Sequence, residues 1–216
     1  MRDSSSNDTR RLLTAIFERA AEDASRALSV WLGRPVAMAV SGVDEVELAE
    51  ASELLGPGDA LVAACVMGLS GKLDGRILLV FEDRAGLALA DTLLRQPQGT
   101  SREWGELERS AADETANIVG CALLNSLSAH LPLPGGSAPL TPSPPEFRHE
   151  FAASLLEFAL MEQAVLSDRV VLARTRFTAG GDDLEWSLLF IPGPDALRLL
   201  NSALTAPSSP ESGRPA

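Results

Sequence analysis

The chain has 216 residues, 45% of them hydrophobic, and carries 18 Lys plus Arg against 30 Asp plus Glu for a formal charge of −12. That length supports one domain with its own core, and no apolar run reaches the ~18 residues of a membrane span. A surface this acidic repels phosphate backbones and excludes nucleic acid as a partner.

Two cysteines, Cys65 and Cys121, and two histidines, His130 and His149, cannot supply a disulfide framework or the ligand spacing of a zinc cluster, so no metal site is expected. Met1 to Asp8 is polar and has no apolar h-region, which makes the cytoplasm the expected compartment.

In chain order, residues 1–7 are Ser/Asn/Asp-rich and read as a disordered tail, followed by a single domain over 8–205. A long helix is predicted from Thr9 to Leu32, with Asp8 as its cap and Leu12, Leu13, Ile16, Ala20, Ala24, Leu28 and Trp31 at helical spacing; Gly33 and Pro35 stop it. Apolar runs at Ala37–Val43, Ala60–Leu69 and Arg76–Phe81 read as strands, the last two joined by a Gly71–Gly75 hairpin. The acidic run Asp44–Glu53 reads as a solvated helix or loop face. A second long helix is predicted from Ser101 to His130, with Thr100 and Glu103 as a T-x-x-E capping box.

Leu131–Phe147 holds six prolines and a Gly135-Gly136 pair, so it reads as loop. A shorter helix, Glu150 to Ala164, and two strands, Arg169–Phe177 and Leu184–Ile191, follow. Ala206–Ala216 is Pro/Ser/Gly-rich and reads as a second disordered tail.

Arg76–Leu94 and Trp186–Leu204 align without gaps at an offset of 110, with Leu78/Leu188, Leu79/Leu189 and Leu87/Leu197 coinciding. Each half then reads as long helix, hairpin and short closing helix. The predicted class is α/β of the α+β kind, with a largely antiparallel sheet.

On the second long helix, Leu107, Ala111, Ile118 and Ala122 group as the buried face, and Arg102, Glu106, Arg109 and Asp113 as the solvated side. Ser110, Glu114, Asn117 and Cys121 form a stripe between them. Glu114 and Asn117 thus stand one turn apart at the wet edge of the apolar face. A carboxamide can hold a water through a donor and an acceptor without titrating, and a carboxylate can grip a cation.

Ser110-x3-Glu114-x2-Asn117-Ile118, followed by Pro139, resembles the signature of the CheC/CheX/FliY group, chemotaxis phosphatases that act on phosphorylated CheY. Ala27-Leu28-Ser29-x2-Leu32-x-Arg34-x-Val36-x-Met38 is similar to the segment after the first signature helix in CheC, and Gly71-x3-Gly75-x-Ile77-Leu78-Leu79-Val80-Phe81 to the family's hairpin. The resemblance implies a fold with its two long helices in pseudo-twofold repeat. It also implies that Asn117 orients the water attacking the aspartyl phosphate and that Glu114 pairs with the regulator's lysine, with Ser110 and Pro139 in support.

The magnesium of such a reaction belongs to the regulator, so no cofactor of the chain's own is implied. Two-site members of the group carry the signature on both long helices. Here one register puts Ala15 and Glu18 at the Glu and Asn positions, and another puts Glu22 and Ser25 there, so the first site reads as degenerate. The implied partner is a phosphorylated CheY-like response regulator, the chain being a monomer or homodimer. The alternative is a non-catalytic adaptor, a flagellar-switch component or a module that binds the receptor deamidase CheD. Cys121 reads as a small core filler, His130 as a partner for free helix-end carbonyls, and the three tryptophans as core or edge packing.

Overall fold

The computed structural model describes residues 2–47, 50, 57–70, 73–130, 140–161, 169–179 and 182–205. The elements in order are α1 (Arg2–Leu32), β1 (Val36–Glu47), β2 (Leu61–Leu69), β3 (Gly75–Glu82), α2 (Asp83–Leu93), α3 (Glu106–His130), β4 (Glu146–Phe151), α4 (Ala152–Met161), β5 (Arg169–Ala179), β6 (Asp182–Pro192) and α5 (Pro194–Thr205). The expected mixture of helices with an antiparallel sheet is present. No helix among the described residues is long and apolar enough to cross a membrane.

The six strands form one sheet in the order β1-β5-β6-β3-β2-β4, with antiparallel neighbours throughout. Its centre explains the repeat. Leu79 pairs with Leu188 and Leu78 with Leu189. A rotation that carries Leu78 to Leu188 and Leu79 to Leu189 exchanges these two pairs, so the 110-residue offset is a pseudo-twofold axis between β3 and β6. The same axis relates β2 to β5 and β4 to β1. Each half lends its first strand to the other: β1 pairs with β5, and β4 with β2.

Central strands covered on both sides need apolar residues at every position, and β2 has them over Val62–Met67 and β3 over Ile77–Phe81. Ala63, Cys65, Met67, Ile77, Leu79 and Phe81 meet α1 and α3 on one face. Val62, Ala64, Val66, Leu78 and Val80 meet Ala152 and Leu155 of α4 on the other. From α1, Leu13, Ile16, Phe17, Ala20, Ala24 and Leu28 enter the first of these cores at the expected three- and four-residue spacing. Ser126 of α3 donates to Ile16 O at 2.8 Å, fixing the two long helices to each other.

Several expectations are corrected. Helix α1 runs from Arg2, so residues 2–7 are helical and Asp8 lies inside the helix instead of capping it. The run from Asp44 does not leave the sheet at once: Asp44–Glu47 complete β1, with Asp44 bonded to both Arg10 and Arg174. Helix α3 starts at Glu106, not Ser101, because the amides of Gly99, Thr100 and Ser101 go to the buried Asp91 carboxylate. Thr100 donates its hydroxyl to Pro97 O and caps no helix.

The segment entering the third expected helix is strand: Glu146–Phe151 pairs with β2, and helix begins only at Ala152, whose amide bonds to Ala60 O. The proline-rich loop therefore gives way to strand at Glu146. Residues 131–139, Pro139 among them, and 206–216 lie outside the described residues.

Candidate functional site

Helix α3 lies tight over β2. A Cβ on Gly120 would stand 2.6 Å from Met67 Cε, so glycine permits this approach. Ala111, Ala112, Thr115, Ala116, Val119 and Leu123 fill the sheet-facing side, and the buried Thr115 hydroxyl is satisfied by Ala111 O at 2.8 Å. The opposite edge carries Ser110, Glu114 and Asn117, all exposed, at the i, i+4 and i+7 positions.

These three residues and the half-buried Cys121 line an open groove of about 1400 Å³. Pro142, Ser143, Pro144 and Pro145, from the segment leading to β4, also line it. That segment is anchored to the end of β2: Ser143 N donates to Gly68 O and Gly68 N to Ser143 Oγ, both at 2.9 Å. Trp31 and Leu107 add apolar surface, at 39% and 63% exposure.

Among the described residues the Glu114 carboxylate has no ion pair, and the only side chain hydrogen-bonded to that of Asn117 is the Cys121 thiol, which donates to its Oδ1 at 3.8 Å. Burial and then the Glu114 charge push the Cys121 thiol up, so it stays protonated at neutral pH and is no nucleophile. The arrangement offers a free carboxylate, a free carboxamide nitrogen and a groove open to a macromolecule.

Two helix positions exchange the expected faces. Asp113 is half-buried beside the Cys65 thiol, with Oδ1 enclosed and without a hydrogen-bond partner among the described residues; burial raises its carboxyl, and the nearby thiol partly offsets this. The Cys65 thiol is pushed well up, by burial first and by Asp113 second. Leu107, expected in the core, is instead exposed at the groove. Of the tryptophans, Trp104 and Trp186 are buried, while Trp31 sits at the groove. His130 Nδ1 meets Ser126 O at 2.8 Å near the end of α3, as expected for a helix-end imidazole.

The first long helix brings no comparable pair together. Ala15, Glu18 and Glu22 are exposed, with Glu22 beside Arg19 at 3.4 Å. Ser25 is a structural link: its hydroxyl donates to Ala21 O at 2.6 Å and accepts from Met38 N at 2.8 Å, tying α1 to β1. Ser25→Ala would strand the Met38 amide, so a loss of about 1–2 kcal/mol is expected. Thermal melting should register it as a drop of a few degrees.

A network that sequence reasoning missed lies beside the groove. Asp83 Oδ1 takes Trp104 Nε1 and His149 Nε2, each at 2.8 Å. Arg109 bonds Trp104 O and stacks 5.5 Å over the Phe147 ring. It joins the start of α2, the start of α3 and the edge strand β4, three segments too far apart in sequence to show a pattern.

No family model matches the chain, and no curated protein sequence matches it. Solved structures do. FliY of Thermotoga maritima superposes with a TM-score of 0.65 at 17% identity, over 94% of this chain and 96% of that one. The FliM middle domain of H. pylori gives 0.64 at 15% identity, over 93% and 98%. A chain of the FliG-FliM complex from H. pylori gives 0.66 at 15% identity, over 89% and 99%. The chain therefore has the fold of FliY and the FliM middle domain, the one expected from its resemblance to the CheC/CheX/FliY group.

Proposed function

We propose that the chain hydrolyses the aspartyl phosphate of a CheY-like response regulator, with Asn117 orienting the attacking water and Glu114 gripping the regulator's active-site lysine. The observation that carries this reading is the pair itself, exposed on one groove with neither the carboxylate nor the amide nitrogen spent on a partner among the described residues. An acyl phosphate is already activated, so the reaction asks mainly for positioning and charge complementarity. A carboxamide supplies the first and a carboxylate the second. Mg²⁺ would be held by the regulator. Ser110, one turn before Glu114, would support the contact, and Trp31 and Leu107 would give the docked partner apolar footing.

The test is the rate at which purified, phosphorylated CheY-like regulators lose phosphate with and without the chain. Acceleration of at least one regulator is expected; no acceleration of any would end the catalytic reading. Glu114→Gln should raise KM about tenfold or more and change kcat less, because it removes one charge-assisted contact made throughout binding. Added salt should raise the wild-type KM more steeply than that of the variant.

A second reading, a non-catalytic adaptor of the flagellar switch, is favoured by the degenerate first helix and by the likeness to a chain of the FliG-FliM complex. It predicts stable capture of a switch protein or of CheD with no effect on phosphate loss.

A further inference from the structure

Arg34 and Arg95 meet at the junction of two helix ends. Helix α1 closes on Gly33, at φ +64°. Helix α2 closes in a Schellman motif, with Arg95 N bonded to Thr92 O and Gln96 N to Asp91 O. The left-handed residue of that motif is Arg95, at φ 58°, the only non-glycine with positive φ among the described residues. Glycine ordinarily stands there, because a side chain in this conformation is strained. The two arginines cap each other's helices: Arg34 Nη2 donates to Thr92 O at 2.8 Å and Arg95 Nη2 to Leu32 O at 2.7 Å.

Helix capping leaves much of both groups unspent. Each guanidinium has five N–H donors, and a single side-chain bond is recorded for each. Arg34 Nε is buried and without a partner. Neither arginine has an acidic partner among the described residues, so each keeps donors for a ligand; Arg34 is half-buried and Arg95 exposed. The two helix C-termini contribute about −0.5 charge each, which leaves roughly one net positive charge. Both arginines line the same cavity, about 460 Å³ in volume, with Gln96 and Gln98.

We propose that this cavity is an oxyanion site, taking a small phosphate- or carboxylate-bearing solute between Arg34 and Arg95. Planar guanidinium forks match two-oxygen acceptors, and a bound oxyanion would take up the unspent donors, the buried Arg34 Nε among them, and answer the retained strain at Arg95. The proposal rests on these residues alone and stands or falls apart from the phosphatase reading.

The experiment is an amide-resolved NMR titration of the full chain with orthophosphate, and separately with succinate, at constant ionic strength. Saturable shifts confined to 32–34 and 92–98 are expected with at least one of them. Saturation by phosphate alone assigns a phosphate ligand, and by succinate alone a carboxylate one. A hundredfold excess over Kd should also raise the melting temperature by about 5–10 °C. Arg34→Gln and Arg95→Gly should each abolish saturation, and glycine relaxes the strained backbone, so the second variant folds. Arg34→Lys, which keeps the charge but loses the fork, should weaken binding about tenfold. Linear, non-saturating shifts with both ions, or saturation unchanged in both Arg34→Gln and Arg95→Gly, would overturn the site.

Discussion

Asn117→Ala is expected to return regulator dephosphorylation to its unassisted rate, a fall of ~10²-fold or more, while the melting temperature moves by no more than about 2 °C. The two halves of this expectation have separate physical origins. Asn117 is exposed, and among the described residues the only side chain hydrogen-bonded to its own is the Cys121 thiol at 3.8 Å, so little is lost on truncation. Alanine is also the better helix former by about half a kcal/mol. The chemical loss is large because nothing nearby can replace the amide: Ser110 is two turns away, and the Cys121 thiol is a weak donor on a half-buried side chain.

Asn117→Asp sharpens the test. It keeps an acceptor oxygen in the same place but removes the donor and sets a negative charge against an anionic phosphoryl group. It should be as inactive as alanine. Full activity in either variant would show that no water is oriented by this side chain, and the catalytic reading would fail while the fold assignment stood.

How much of this was legible beforehand depended on how far each signal ran along the chain. Five strands were read correctly because their apolar runs outlast any helical period, and the hairpin between β2 and β3 because Gly and Asp cluster between them. The sixth, Glu146–Phe151, alternates charge with aromatic residues at the sheet edge, and its role appears only once β2 is there to pair with it. The exposed stripe Ser110-Glu114-Asn117 followed from helical geometry alone.

That geometry failed for Leu107 and Asp113, since a wheel assumes that a neighbour covers the apolar side along the whole helix. Leu107, in the first turn of α3, is left 63% exposed, and Asp113, in the second, is half-buried beside Cys65. That the first helix carries no exposed carboxylate–carboxamide pair at Ala15, Glu18 and Glu22 was legible in those residue types alone. That Ser25 links α1 to β1 was not, because its acceptor role depends on Met38, 13 residues away. Asp91 was missed for a related reason: within Leu87–Leu94 it looks like an ordinary polar position on a short helix.

Asp91→Asn should cost about 3 kcal/mol, a melting temperature lower by roughly 6–12 °C, the largest stability effect expected of any single substitution near the groove. Asp91 is fully buried, and its carboxylate accepts three amides: Gly99 at 2.7 Å, Thr100 at 3.0 Å and Ser101 at 2.8 Å. Asparagine keeps one acceptor oxygen and turns an NH₂ group toward donors at a fully buried position, leaving at least one of the three loop amides without its acceptor. Burial alone would raise the carboxyl of Asp91, but the hydrogen bonds from Ser101, Gly99 and Thr100 outweigh it and hold the group below its usual value.

A group lowered on folding stabilises the protein above its unfolded pKa, about 3.9 for Asp, and loses that contribution as pH falls through the folded value. The gap between wild type and Asp91→Asn should therefore be constant from pH 5 to 7 and shrink below about pH 4. Melting curves across that range decide the matter; a gap as wide at pH 3 as at pH 7 would mean that the charge of Asp91 is not what holds the loop. The loop matters to the groove because it delivers Trp104 and the first turn of α3, with Leu107 and Ser110, to the place where a partner would dock. The variant should accordingly raise KM for a phosphorylated regulator more than it lowers kcat, whereas Asn117→Ala does the reverse, and measuring both separates the scaffold of the site from its chemistry.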